Sequence, residues 1–127
     1  MSRYLLDTCV LIDVLRSRRQ AIAFVEGLEG EPWVSVVTAA ELLAGQRSPV
    51  ERSKIGQLLE ELVVADLVLE IAVLAGMFCR DFRQTHGVEI PDALIAATAK
   101  IHGVRLVTRN VRHFPMLDDV VAPYRLN

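Results

Sequence analysis

An α/β fold with a central parallel sheet and flanking helices is predicted by three features of this sequence. Short β-prone runs alternate with helical patterns along the whole chain, in strand–helix–strand order. The runs are brief, so the connecting helices fit crossovers between parallel strands. The composition is 52% hydrophobic and 24% charged, which suits a packed core and argues against disorder. The 127 residues fit one domain of ordinary size, with no repeat, linker or low-complexity stretch dividing them.

The elements follow in order. Arg3 to Leu6 reads as a short buried strand, ended by Asp7, and Thr8 to Leu15 as a helix. Arg16 to Arg19 is a polar, basic break. Ala21, Phe24, Val25 and Leu28 then recur at helical spacing. Gly27, Gly30 and Pro32 punctuate a loop before a second strand at Trp33 to Val37. A helix is predicted over Thr38 to Gln46, closed by Ser48-Pro49, and another over Val50 to Leu62. Val63 to Val68 is β-prone and gives a third strand. Glu70 to Thr85 is a long amphipathic helix with Ile71, Leu74, Ala75, Phe78 and Phe82 as its stripe, and Gly87 suits its C-terminal cap. Pro91 opens a helix over Asp92 to Ile101 that is apolar on most faces and therefore central. Gly103 ends it. Arg105 to Thr108 is the fourth strand, and Val120 to Ala122 is a candidate fifth.

Composition narrows the function classes. No apolar run reaches the roughly 20 residues of a membrane span. Asp7 interrupts the N-terminus too early for the apolar segment of a signal peptide, so the cytoplasm is the expected location. Cys9 and Cys79 form neither a disulfide framework nor a zinc motif and are expected to be small buried apolar residues. The net charge of −2 gives no global basic footprint for nucleic acid. Of the 14 basic residues 12 are Arg, the better phosphate fork.

In parallel sheets, sites form at the carboxyl ends of strands. Asp7 stands just after the first strand and Glu41 just past the second. Asp92 opens the buried helix, and Asn110 lies just past the fourth strand. Such oxygen ligands suit Mg²⁺ or Mn²⁺ rather than softer metals. Such an ion activates water and stabilises charge on a phosphodiester. Each residue also has a purely structural reading. Asp7 fits a helix N-cap, and Thr38 with Glu41 fits a capping box. Asp92 complements a helix dipole, and Asn110 suits a turn.

Four segments together carry a family resemblance. Tyr4-Leu5-Leu6-Asp7-Thr8-Cys9-Val10-Leu11-Ile12 resembles the opening motif of PIN domains. Ser35 to Leu42 resembles their second motif, Ile90 to Ala97 the third, and Leu106 to Asn110 with His113-Phe114 the fourth. Within that family the chain is most similar to VapC toxins. The resemblance implies one PIN-like domain over residues 1–127, a three-layer fold with a parallel sheet of four to five strands. It implies a metal-dependent endoribonuclease, with Asp7, Glu41 and Asp92 as metal ligands and Asn110 assisting. Thr8 and Thr108 match hydroxyl positions near the metal. It further implies a structured RNA substrate of the tRNA or rRNA class, a VapB-like antitoxin partner and a homodimer. The apolar faces of Val50 to Leu62 and Glu70 to Thr85 are candidate dimer surfaces. His113 stands where a second carboxylate is common in the family, which leaves the fourth ligand position open between Asn110 and His113.

The remaining polar residues divide. His86 and His102 suit helix C-termini. Arg16, Arg18, Arg19, Arg109 and Arg112 follow segments that end on the catalytic side and are candidate phosphate contacts. Two other classes compete with the nuclease. One is a PIN fold that binds RNA or protein without turnover. The other is a phosphotransfer or nucleotide-binding module. Against the second, the chain has no glycine-rich phosphate loop, and Lys54 and Lys100 fall in predicted helices.

Overall fold

The computed structural model describes residues 3–126. Met1 and Ser2, on which the leader reading partly rests, lie outside the described residues. Four strands form one parallel sheet: β1 (Tyr4–Leu6), β2 (Trp33–Ser35), β3 (Val63–Ala65) and β4 (Arg105–Val107). Their spatial order is β3-β2-β1-β4, so the chain steps outward to β3 and then returns to the far side of β1. The topological switch therefore falls between β1 and β4, where Leu5 pairs with Leu106 and Leu6 with Val107.

Alternation along these strands sorts the core into layers. Leu6, Val34 and Val107 point to one face. They pack with Val10 and Leu11 of α1 (Thr8–Leu15), Phe24 and Val25 of α2 (Arg19–Glu26) and Ile55 of α4 (Pro49–Glu60). Leu5 and Leu106 point to the other face, against Ile95, Ala96 and Ala99 of α6 (Ile90–His102). Behind α6 lies α5 (Leu69–His86), joined through Ile71, Ala75 and Cys79 to Ala93 and Ala97. The alanines of α6 are fully or almost fully buried, and their small side chains let two layers approach it. The remaining helix, α3 (Val36–Ala44), follows β2 directly and contributes Leu42 to the first cluster and Val37 to the second.

Element boundaries depart from expectation for local reasons. The second strand stops at Ser35 because the Ser35 hydroxyl accepts the Val37 N–H and starts α3 two residues early. The third strand stops at Ala65, the last residue facing a β2 partner, Ser35. Ser48-Pro49 begins a helix as well as ending one: Ser48 Oγ accepts the Glu51 N–H, and Pro49 takes the first helical position. The fifth strand reduces to one parallel bridge, Val107 to Val121. Two hydrogen bonds hold it, and Pro123, lacking an N–H, gives no donor to lengthen it. Gly87 and Gly103 cap α5 and α6 in the left-handed conformation, with φ of 66° and 63°.

Candidate active site

Three of the four predicted residues meet at the switch point. Asp7 follows β1 and is buried at 5% exposure. Its Oδ1 accepts the Thr8 N–H at 2.8 Å, so it does cap α1. Its Oδ2 accepts the Thr108 hydroxyl at 2.6 Å, from the residue that follows β4. One carboxylate thus joins both sides of the switch, and its remaining lone pairs stay open to a cation. Asp92 lies in the first turn of α6, half-buried. Burial raises its pKa most, and the negative charges of Asp7 and Glu41 raise it further against the opposing influence of His113.

Glu41 is exposed, one helical turn beyond buried Thr38 on α3. The predicted capping box is therefore corrected, since Ser35 caps this helix and Thr38 sits inside it. Thr38 serves Glu41 in another way. The Thr8 hydroxyl donates to Glu41 Oε1 at 2.7 Å and lies 2.9 Å from the Thr38 hydroxyl. Thr8 has one proton to give, so Thr38 is the donor to Thr8. The resulting chain, Thr38 to Thr8 to Glu41, orients an otherwise mobile side chain.

Asn110 follows β4 at the protein surface. Its backbone N–H donates to Thr108 Oγ1 at 3.0 Å, and its carbonyl accepts the His113 N–H. It starts a short 3-10 turn, Val111–His113. That turn brings His113 Nδ1 to 3.4 Å from Asp92 Oδ2. Glu41, Asp92 and His113 line one open crevice together with His86, Gly87, Glu89 and Pro91.

The donor chemistry fits a hard divalent ion: three carboxylates, two of them raising the pKa of the third, and no cysteine thiolate among them. Among the described residues, no group of three or more His, Cys, Asp or Glu side chains is arranged to grip an ion as it stands. A family model described as PIN domain matches residues 4–119.

The chain belongs to the PIN-domain family. It is 37% identical over 123 residues to Ribonuclease VapC10 of Mycobacterium tuberculosis, covering 94% of this chain and 92% of that protein. It is 36% identical over 124 residues to Ribonuclease VapC19 of the same organism, covering 94% and 98%. A chain of the toxin–antitoxin complex from Klebsiella pneumoniae superposes with a TM-score of 0.84 at 29% identity, covering 97% of this chain and 99% of that one.

Several polar residues of this PIN domain take places that the linear pattern does not reveal. Asp13, on α1, is almost fully buried, with Oδ2 accepting from Arg109 Nε and from the Tyr124 hydroxyl, each at 2.7 Å. Arg109, although exposed, is thus held in an ion pair with Asp13, which competes with RNA phosphate for its guanidinium. No sequence motif singled out Asp13; a lone carboxylate within the apolar run Val10 to Leu15 was the available signal. Cys9 is only partly buried, unlike Cys79. Its sulfur lies 3.5 Å from both Asp7 Oδ2 and Thr108 Oγ1, and burial, then the Asp7 charge, raises its pKa. His86 closes α5 as expected but also lines the crevice, whereas His102 packs against Trp33. Arg16 borders a second pocket, walled by Leu15, Leu42 and Ile55, that meets the crevice at Glu41.

Proposed function

We propose that this chain is a metal-dependent endoribonuclease, the toxin of a VapBC-like pair, acting as a single PIN-like domain. The observation that carries this reading is the meeting of Asp7, Glu41 and Asp92, from three separate elements, around a crevice at the sheet's switch point. The VapC ribonucleases it resembles support the same chemistry.

Asp7, Glu41 and Asp92 would hold Mg²⁺ or Mn²⁺, with Asn110 assisting from the rim. When bound, the ion supplies Lewis-acid stabilisation of a phosphodiester and a water of lowered pKa. The chain's own groups do the positioning. Thr108 and the Thr8 N–H fix Asp7, while Thr38 and Thr8 fix Glu41. Asp92 faces the carboxylates from the N-terminus of α6, where the helix dipole favours negative charge. Exposed Arg16, Arg18, Arg19 and Arg112 contact RNA phosphates, and the open crevice admits a folded RNA of the tRNA or rRNA class.

A VapB-like antitoxin is the proposed protein partner, and a second copy of the chain the proposed assembly. Of the two expected dimer faces, α4 turns Ile55 into the core and packs Leu58 and Leu59 against it. The predicted stripe of α5 packs inward too. The exposed apolar row is instead Leu69, Val73 and Met77 of α5 with Ile101 of α6. No helix among the described residues is long and apolar enough to cross a membrane. We place the protein in the cytoplasm, where its RNA substrates are.

The test is cleavage of total RNA with Mg²⁺, Mn²⁺ or EDTA by wild type and Asp92→Asn. Discrete fragments from the wild type with metal, absent with EDTA and at least about a hundredfold weaker in the variant, are the expected result. Intact RNA throughout, with RNA still bound by a folded Asp92→Asn protein, would favour a binding-only PIN domain.

A further inference from the structure

His113 stands opposite Asp92 at the mouth of the crevice. Its Nδ1 is 3.4 Å from Asp92 Oδ2, and its side chain is 58% exposed. The pairing is informative because of what the two atoms are. An unprotonated imidazole nitrogen and a carboxylate oxygen are both acceptors and repel at this distance. They rest side by side when Nδ1 carries a hydrogen, in the neutral tautomer or the imidazolium, or when a metal ion lies between them. The surroundings favour a strong positive centre, because Asp7 and Glu41 add negative charge around Asp92. The spacing also suits a shared ion. Two ligands in adjacent positions of an octahedral ion, each about 2.1 Å from it, lie about 3 Å apart.

We propose that His113 is a nitrogen ligand beside Asp92, through Nδ1, for the divalent ion of this site, and that it biases the site toward Mn²⁺ over Mg²⁺. The inference rests on the metal-dependent reading above. Mg²⁺ holds to oxygen donors, whereas an imidazole nitrogen suits first-row transition ions, so one nitrogen in an oxygen site shifts selectivity without changing its outline. The backbone supports the placement. The His113 N–H is bonded to the Asn110 carbonyl, and Phe114, the next residue, is buried at 1% exposure. The turn is thus anchored on both sides of an exposed ring.

The experiment adds Mn²⁺ to the full-length wild type and to His113→Asp and His113→Ala. It reads ¹⁴N coupling to the bound ion by pulsed electron paramagnetic resonance, with calorimetric affinities for Mn²⁺ and Mg²⁺ alongside. Expected are a nitrogen coupling in the wild type that both substitutions abolish, and a Mn²⁺ over Mg²⁺ preference of about tenfold or more that shrinks in His113→Asp. Mn²⁺ bound without nitrogen coupling, or a coupling that survives both substitutions, overturns the assignment and leaves the carboxylate site standing. A wild type that takes up no Mn²⁺ at all overturns both this inference and the metal-dependent reading. Because the ring is exposed, neither substitution removes core packing.

Discussion

The Thr108 hydroxyl donates to Asp7 Oδ2 and accepts the Asn110 N–H, so a single side chain ties the β1 carboxylate to the loop that carries Asn110 and His113. Thr108 is fully buried, and replacement by Val keeps the volume but leaves Asp7 Oδ2 with only the weaker Cys9 thiol as a donor. Thr108→Val is expected to cost about 1–3 kcal/mol by urea denaturation and to lower RNA cleavage, while Thr108→Ser retains most of both. Tyr124 gives a residue-scale prediction with a pH axis. Burial raises its pKa most, and the hydrogen bond to the Asp13 carboxylate raises it further. A folded-state pKa above the unfolded value means that the protonated phenol is the form the fold favours. Its contribution is complete below about pH 10 and is lost as pH rises through the ordinary tyrosine range toward the folded value. Thermal melts should therefore fall above about pH 10 in the wild type, and the fall should be shallower in Tyr124→Phe. A slope unchanged by that substitution would count against the Asp13 contact.

At the scale of elements, glycine and serine set the ends that the site depends on. Gly103 turns α6 back into β4 at φ 63°, which aligns Asp92 at one end of the helix with Thr108 at the end of the following strand. An added Cβ there meets nothing within 4 Å, so Gly103→Ala tests backbone strain alone. The expected loss is about 1–2 kcal/mol in denaturant, with cleavage preserved when the protein is folded. Ser35 is equally decisive. By capping α3 three residues earlier than the capping-box pattern suggests, it moves Thr38 inside the helix, where it reaches Thr8 instead of a backbone N–H. The sequence pattern pointed to Thr38 as the cap, whereas Ser35, fully buried at the end of β2, takes that place in the structure.

Across the whole molecule, the strand order β3-β2-β1-β4 is what makes a crevice out of distant residues. Asp7 and Thr108 are 101 positions apart in sequence and 2.6 Å apart in space. The same architecture leaves Val73 and Met77 outside, 57% and 46% exposed, on a helix whose opposite face is sealed against α6. An exposed apolar row of this kind is a candidate surface for a two-fold dimer. Val73→Lys with Met77→Lys should convert a dimer to a monomer in analytical ultracentrifugation, without loss of the helical signal. A wild type that sediments as a monomer would remove this face as the dimer surface.

The alternation of apolar runs determined by itself that the chain is α/β, with a parallel sheet and a buried α6, because periodicity reports burial directly. The motifs around Asp7, Glu41, Asp92 and Asn110 likewise pointed to the carboxyl edge of the sheet, since strand ends are readable from where apolar runs stop. Tertiary structure alone decided the partners. It sent Arg109 to buried Asp13, placed Cys9 beside Thr108, brought His86 to the crevice and set His113 against Asp92. These contacts join residues from different elements. Their distances follow from the strand order and the layer packing, which no local pattern of side chains encodes.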